Sequence, residues 1–176
     1  MLVRTHTPTA IALHDDGQTP NNPKCPLLLY RDAVSLGKDL DPAAIFEKLF
    51  AANGWGRSWR NGIYDFLHFH ARSHEVLGIA RGSARVQFGG LKGETLTLEA
   101  GDVVVLPAGT GHQRVTASKD LLVVGAYPPD GSYEETRPHE IDHAEARRHI
   151  AEVPLPAADP IYGSDGPLRR LWSSQP

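Results

Sequence analysis

The sequence predicts a mostly β domain, an antiparallel sandwich or barrel with a few flanking helices. Three observations carry this. Between Ile63 and Tyr127 the chain runs through short β-rich segments, IYDFLHFH, EVLGIA, SARVQF, ETLTLE, DVVVLP, HQRVT and LLVVGAY. Glycine or polar turns separate them, with no helical segment between, which favours antiparallel pairing. The length of 176 residues, with 40% hydrophobic and 22% charged side chains, suits one globular domain with extensions.

Residues 1–40 read as an irregular arm that packs on the barrel. DDGQTPNNPKCP is rich in turn formers, and LLLY, Leu27 to Tyr30, predicts a short buried strand able to pair with a sheet edge. Residues 41–128 form the barrel with a preceding helix. In DPAAIFEKLFAANGW, Asp41 suits an N-cap, Pro42 suits the first turn, and Ile45, Phe46, Leu49 and Phe50 recur at helical spacing before Asn53 and Gly54. Residues 129–176 are polar: HEIDHAEARRHI predicts a helix, and VPLPAADPIYGSDGPLRRLW a proline-rich tail over the surface of the body.

Lys and Arg number 18 against 21 Asp and Glu, a net charge of -3, and no dense basic stripe matches a phosphate backbone. Nucleic acid is not expected as a partner. The N-terminus lacks the apolar stretch of a signal peptide, and no run is long enough to span a bilayer, so no membrane partner and a cytoplasmic location are expected. Cys25, the only cysteine, excludes an intrachain disulfide and is expected to pack in the interior.

Two segments carry chemistry, GIYDFLHFHARSHEVLGIARG from Gly62 to Gly82 and GDVVVLPAGTGH from Gly101 to His112. Alternate side chains of an extended strand share a face, so His68 and His70 point the same way and can reach one ion. After the ARSH turn, Glu75 can bring a carboxylate to the same point, and the PAGTG turn can present His112 from across the barrel. A carboxylate buried among histidines with no cation would cost several kcal/mol or become protonated.

These segments resemble the two motifs of the cupin superfamily, GxxxxxHxHxxxxExxxxxxG and GxxxxxPxGxxHxxxN. Gly62, His68, His70, Glu75 and Gly82 occupy the fixed positions of the first. Gly101, Pro107, Gly109 and His112 occupy those of the second, and Thr116 stands where the family has Asn. The arm, the helix after it and the GAYP ending are similar to a subfamily of small bacterial cupins of uncharacterised function. The resemblance implies a single jelly-roll barrel, a homodimer and one divalent transition metal ion held by His68, His70, Glu75 and His112. With three imidazoles, a carboxylate and no thiolate, Fe, Mn, Ni, Co and Zn all remain open.

Strand parity places Tyr64 and Phe66 on the face of His68 and His70, Leu77 and Ile79 on that of Glu75, and Arg114 on that of His112. Tyr64, Phe66, Leu77, Arg114 and Tyr127 are therefore the candidates for a substrate pocket, with Arg114 able to hold an anion. His74 is expected to face away from the ion, exposed or bonded behind the ligands. His6, His14, His139, His143 and His149 are read as surface residues. The leading expectation is a metal-dependent enzyme acting on a small organic molecule by dioxygenase-like oxidation. An isomerase, lyase or decarboxylase, or a ligand-binding protein without turnover, are the alternatives, because one architecture hosts many functions.

Overall fold

A computed structural model describes residues 3–38 and 40–173. The first two residues of the arm, Asp39 and the last three residues of the tail lie outside the described residues. Among the described residues, nine strands form two antiparallel sheets: β1 (Thr9–Ile11), β2 (Leu27–Tyr30), β3 (Gly56–Asn61), β4 (Glu75–Arg81), β5 (Ser83–Phe88), β6 (Glu94–Glu99), β7 (Val103–Leu106), β8 (His112–Ala117) and β9 (Leu122–Tyr127). The larger sheet has the order β1-β2-β7-β4-β9-β3 and the smaller β6-β5-β8, so the predicted mostly β jelly roll is formed by two facing sheets. Helices α1 (Pro42–Ala52), α2 (His143–Glu152) and α3 (Pro167–Ser173) flank them.

The two sheets differ in what covers them. In β2 and β7 every residue is buried, because alternate side chains enter two separate cores. Leu27, Leu29, Leu77, Ile79, Val104 and Val123 meet Val86, Phe88 and Leu98 of the small sheet in the core between the sheets. Leu28, Tyr30, Val76, Val103, Val105 and Val124 point outward and are covered by Ile45, Phe46 and Phe50 of α1 and by Ile161, Leu168 and Trp172. The small sheet keeps one wet face, visible in the alternating burial of β5.

The proline-rich tail packs closely on the body: Trp172 is buried and its indole donates to Pro26 O at 2.9 Å, while the Asp159 carboxylate accepts Tyr30 Oη at 2.6 Å. Two features differ from the sequence reading. IYDFLHFH forms no regular ladder, since His68 bridges His112 on one side and Phe69 bridges Thr136 on the other. Its hydrogen bonds go to two different partners, and an extended segment results rather than a strand. β3 was not expected at all, because GRSWRN is polar and lies at a sheet edge where only Trp59 packs inward.

Asp41 stands at the start of α1, and its carboxylate receives the Arg60 guanidinium at 2.9 and 3.1 Å. Close approach explains Gly78, where a Cβ would lie 2.4 Å from Phe46 Cδ1. Cys25 is buried in the outer core. No helix among the described residues is long and apolar enough to cross a membrane.

Candidate metal centre

Three peptide segments converge on the histidines. His68 and His112 exchange backbone hydrogen bonds at 3.3 and 2.9 Å, Phe69 and Thr136 do so at 2.9 Å each, and Gly109 N–H donates to His70 O at 2.8 Å. The extended HxH segment is thus stitched between β8 and the loop after β9. This preserves the parity that brings His68 and His70 together without a continuous strand.

Each imidazole is held from behind by a carbonyl. His68 Nδ1 lies 3.1 Å from Phe66 O, His70 Nδ1 3.2 Å from Glu134 O, and His112 Nδ1 3.0 Å from Thr110 O. A carbonyl only accepts, so the proton belongs on Nδ1 and the Nε2 lone pairs are left free. One ligand atom from each of these buried residues lies within 4.8 Å of the others, so the cluster can hold a metal ion.

Glu75 enters from the first residue of β4. Its Oε2 lies 3.4 Å from His70 Nε2 and 3.3 Å from His112 Nε2, and is buried with no hydrogen-bond partner. Burial alone would raise the Glu75 pKa, but the imidazoles of His70 and His112 outweigh it and hold the carboxyl below its usual range. Burial likewise opposes a charge on His70, yet the Glu75 carboxylate raises its pKa overall. Burial, with His112 beside it, pushes His68 down to about 3. A buried carboxylate oxygen lacking a donor, with two imidazole Nε2 atoms beside it and His68 completing the cluster, fits a divalent cation.

These four side chains line one cavity of about 620 Å³ with Tyr64, Leu77 and Tyr127. Phe66 is not part of the lining; its ring stacks on Tyr64 at 4.7 Å and carries the Arg137 guanidinium at 4.0 Å on a face. Arg114 also lies outside. Its N–H donates to Tyr64 O at 2.8 Å and its Nε to Ile63 O at 3.0 Å, so it fastens the segment leading to His68 instead of facing a ligand. The β5–β8 register shift between Arg85 and Val86 lies beside it, and parity counting does not see such a shift.

The lining also includes Trp59, Tyr133, Glu134 and Glu135, which were not foreseen. Trp59 lies across Gly125, where a Cβ would come within 2.1 Å of its ring, and donates from Nε1 to Tyr127 Oη at 2.8 Å. Tyr133 stacks on Tyr127 at 4.8 Å. Burial and then the Glu75 charge push the Tyr127 pKa upward, so its phenol stays protonated.

His74 is not exposed. It is buried behind the ligands, where Nδ1 accepts from Ala108 N–H at 2.9 Å and Nε2 donates to Pro154 O at 3.1 Å. Burial lowers its pKa to about 4 and keeps it neutral. The surface assignment of His149 also fails: it is buried, with Nε2 accepting from Arg72 at 2.7 Å. His143 is half-buried and reaches Asp15 at 2.8 Å, while His6, His14 and His139 are exposed.

Residues 60–138 match the family described as Cupin. The chain is a cupin. This cupin is 39% identical over 158 residues to the uncharacterized protein YjlB of Bacillus subtilis, covering 90% of this chain and 92% of that one. Among solved structures it is similar to an acireductone dioxygenase from Bacillus anthracis with a cadmium ion in its active centre. There the identity is 17%, the coverage 53% of this chain and 63% of that one, and the TM-score 0.39. A variant of Bacillus subtilis oxalate decarboxylase gives 19% identity, 64% and 27% coverage, and a TM-score of 0.39. This cupin spans less than two thirds of either solved chain.

Proposed function

We propose that this cupin is a metal-dependent enzyme that acts on a small organic molecule, with dioxygenase-like oxidation the leading reaction class. His68, His70, Glu75 and His112 would hold one divalent transition metal ion. The observation that carries the reading is the orphaned Glu75 Oε2, buried beside imidazoles whose Nδ1 atoms are all engaged by backbone carbonyls. The bound ion would supply Lewis acidity and, if redox-active, electron exchange with dioxygen. The nitrogen and oxygen donor set without a thiolate suits Fe, Mn, Ni, Co and Zn alike, and a redox-active ion among them is what the oxidative reading requires.

The chain's own groups prepare the site. Phe66 O, Thr110 O and Glu134 O fix the three rings, which lowers the reorganisation needed for binding. Trp59, Tyr64 and Leu77 supply apolar wall that limits water. Tyr127 holds a proton at Oη, oriented by the Trp59 donor. That proton favours a second reading, an isomerase or lyase in which Tyr127 serves as a general acid. A homodimer is the assembly we expect, since β1 and β3 leave open edges on the large sheet.

The test is elemental analysis of protein purified without added metal, beside a folded variant carrying His70→Ala and His112→Ala, followed by dioxygen-uptake screens. Iron or manganese in the parent, absence in the variant and substrate-dependent uptake support the oxidative reading. Turnover with zinc and without dioxygen moves the assignment to the second. A parent that takes up none of the five ions anaerobically rules out both.

A further inference from the structure

We propose that Arg57 is a positioning residue: its guanidinium fixes the loop that orients His70. The inference deepens the metal-dependent reading and rests on it for the consequence, since His70 is one of the four groups assigned to the ion. Arg57 itself is not part of the cavity lining.

The aim of Arg57 comes from an irregularity in the backbone. β3 pairs with β9 through Gly56 opposite Tyr127 and Trp59 opposite Gly125, so Arg57 and Ser58 together face one residue, Ala126. This bulge holds Arg57 at φ 52°, a left-handed conformation that is costly for a residue with a side chain. The side chain thereby reaches the loop after β9. Nη1 donates to Gly131 O at 3.0 Å and Nη2 to Pro128 O. The guanidinium also lies 4.8 Å from the Tyr133 ring centroid and 5.7 Å from that of Tyr127. One rigid planar cation thus engages two carbonyls and two aromatic rings.

The loop carries this grip to His70. Gly131, at φ 91°, runs so close to the turn after His70 that a Cβ there would lie 2.1 Å from Arg72 O. Three residues on, Glu134 O lies 3.2 Å from His70 Nδ1, and Thr136 then pairs with Phe69. Glu134 O is therefore held from both sides, by the Thr136 pair after it and by Arg57 before it. Among the described residues, the hydrogen bonds that reach Pro128 to Tyr133 from outside the loop are those of Arg57.

His70 differs here from its two neighbours. The Nδ1 atoms of His68 and His112 meet Phe66 O and Thr110 O, carbonyls two residues away in their own segments. The His70 carbonyl comes from 64 residues further along the chain. Its ring orientation is set by a loop that something else must hold, and partners behind a metal-ligating imidazole tune its readiness for an ion.

The test uses Arg57→Ala, Arg57→Asn and Arg57→Lys. Asparagine suits the left-handed backbone but is too short to reach the loop, so it serves if the alanine variant does not fold. Lysine keeps the charge without the planar fork. In metal-free protein, proton–nitrogen correlation spectra of the imidazoles read each Nδ1–H. The His70 signal should be lost to exchange with water in the alanine and asparagine variants, while those of His68 and His112 persist. Cobalt(II), titrated against a competing chelator, should bind roughly tenfold more weakly to all three variants. A His70 signal retained as in the parent, the loss of all three signals together, or a lysine variant indistinguishable from the parent would each overturn the proposal. So would unchanged cobalt affinity in the folded variants. A parent that takes up no cobalt overturns the metal reading instead, and the His70 signal of the metal-free protein still decides the role of Arg57.

Discussion

His74 Nδ1 accepts the Ala108 backbone N–H at 2.9 Å, which ties the start of β4 to the turn that delivers His112. The same ring donates to Pro154 O at 3.1 Å, so one neutral imidazole joins β4, the turn and the segment after α2. Replacing His74 with Leu leaves both backbone groups buried without partners. Urea unfolding should show a loss of about 2–4 kcal/mol. Metal content of the folded fraction should be retained, since His74 faces away from the cavity; loss of metal at unchanged stability would refute this role.

The ion should be a folding ligand as well. Four donors that converge only in the native chain bind the folded state alone, so ion at about 100 times its dissociation constant should stabilise the protein by about 2.7 kcal/mol. Chelation should reverse the gain. Thermal melts of the variant carrying His70→Ala and His112→Ala should not respond to either treatment.

Trp172 should be among the costliest residues to truncate. It is 3% exposed, packs against the His74 ring at 4.8 Å and donates to Pro26 O. Trp172→Ala is expected to lose about 3–5 kcal/mol in denaturant unfolding. Trp172→Phe keeps most of the packing but orphans Pro26 O, at about 1–3 kcal/mol. Equal losses in the two variants would show that the hydrogen bond, not the volume, is what matters.

Alkaline pH should destabilise the fold through Tyr30. Burial, followed by the Asp159 carboxylate beside it, raises its pKa far above the ordinary 10.0. The unfolded chain releases that proton above pH 10 while the folded chain keeps it, so the stability is whole below pH 10 and declines above it. Each such tyrosine contributes a slope of about 1.4 kcal/mol per pH unit. Tyr30→Phe should be less stable at neutral pH yet show a shallower alkaline decline; parallel pH profiles would contradict the assignment.

Gly125→Ala should disturb the cavity from the sheet side. The new methyl would occupy the place of the Trp59 ring, and overpacking of this kind costs about 1–3 kcal/mol. Trp59 fluorescence should change, which Trp59→Leu in the same background would verify.

Much of this was legible in the sequence because local periodicity and long-range chemistry agreed. The apolar runs of β2, β4, β7 and β9 could only be buried strands, and the spacing of His68, His70, Glu75 and His112 was enough to bring four side chains into one cavity. Legibility failed where a residue's environment comes from elsewhere in the chain. Arg114 follows strand parity to a position where a loop carbonyl claims its guanidinium. Trp59 sits among charged neighbours in β3, and only the gap at Gly125 makes it a wall. His149 looked like one more polar residue of α2, since nothing local announces the Arg72 guanidinium that it accepts from. Ile161, Leu168 and Trp172 have no period that marks them as core, because they fill holes over a sheet laid down more than thirty residues earlier.

That last arrangement has a consequence for how the protein is made. During synthesis the nine strands of the described residues emerge before Ile161, Leu168 and Trp172, so the nascent sheet carries an apolar face covered only by α1 until those residues follow. Contacts this distant along the chain slow folding, and the interval exposes the outward valines of β7 to other chains. A chain ending at Tyr127 should be protease-sensitive and prone to aggregate, because it lacks the Ile161, Leu168 and Trp172 that complete the cover of that face.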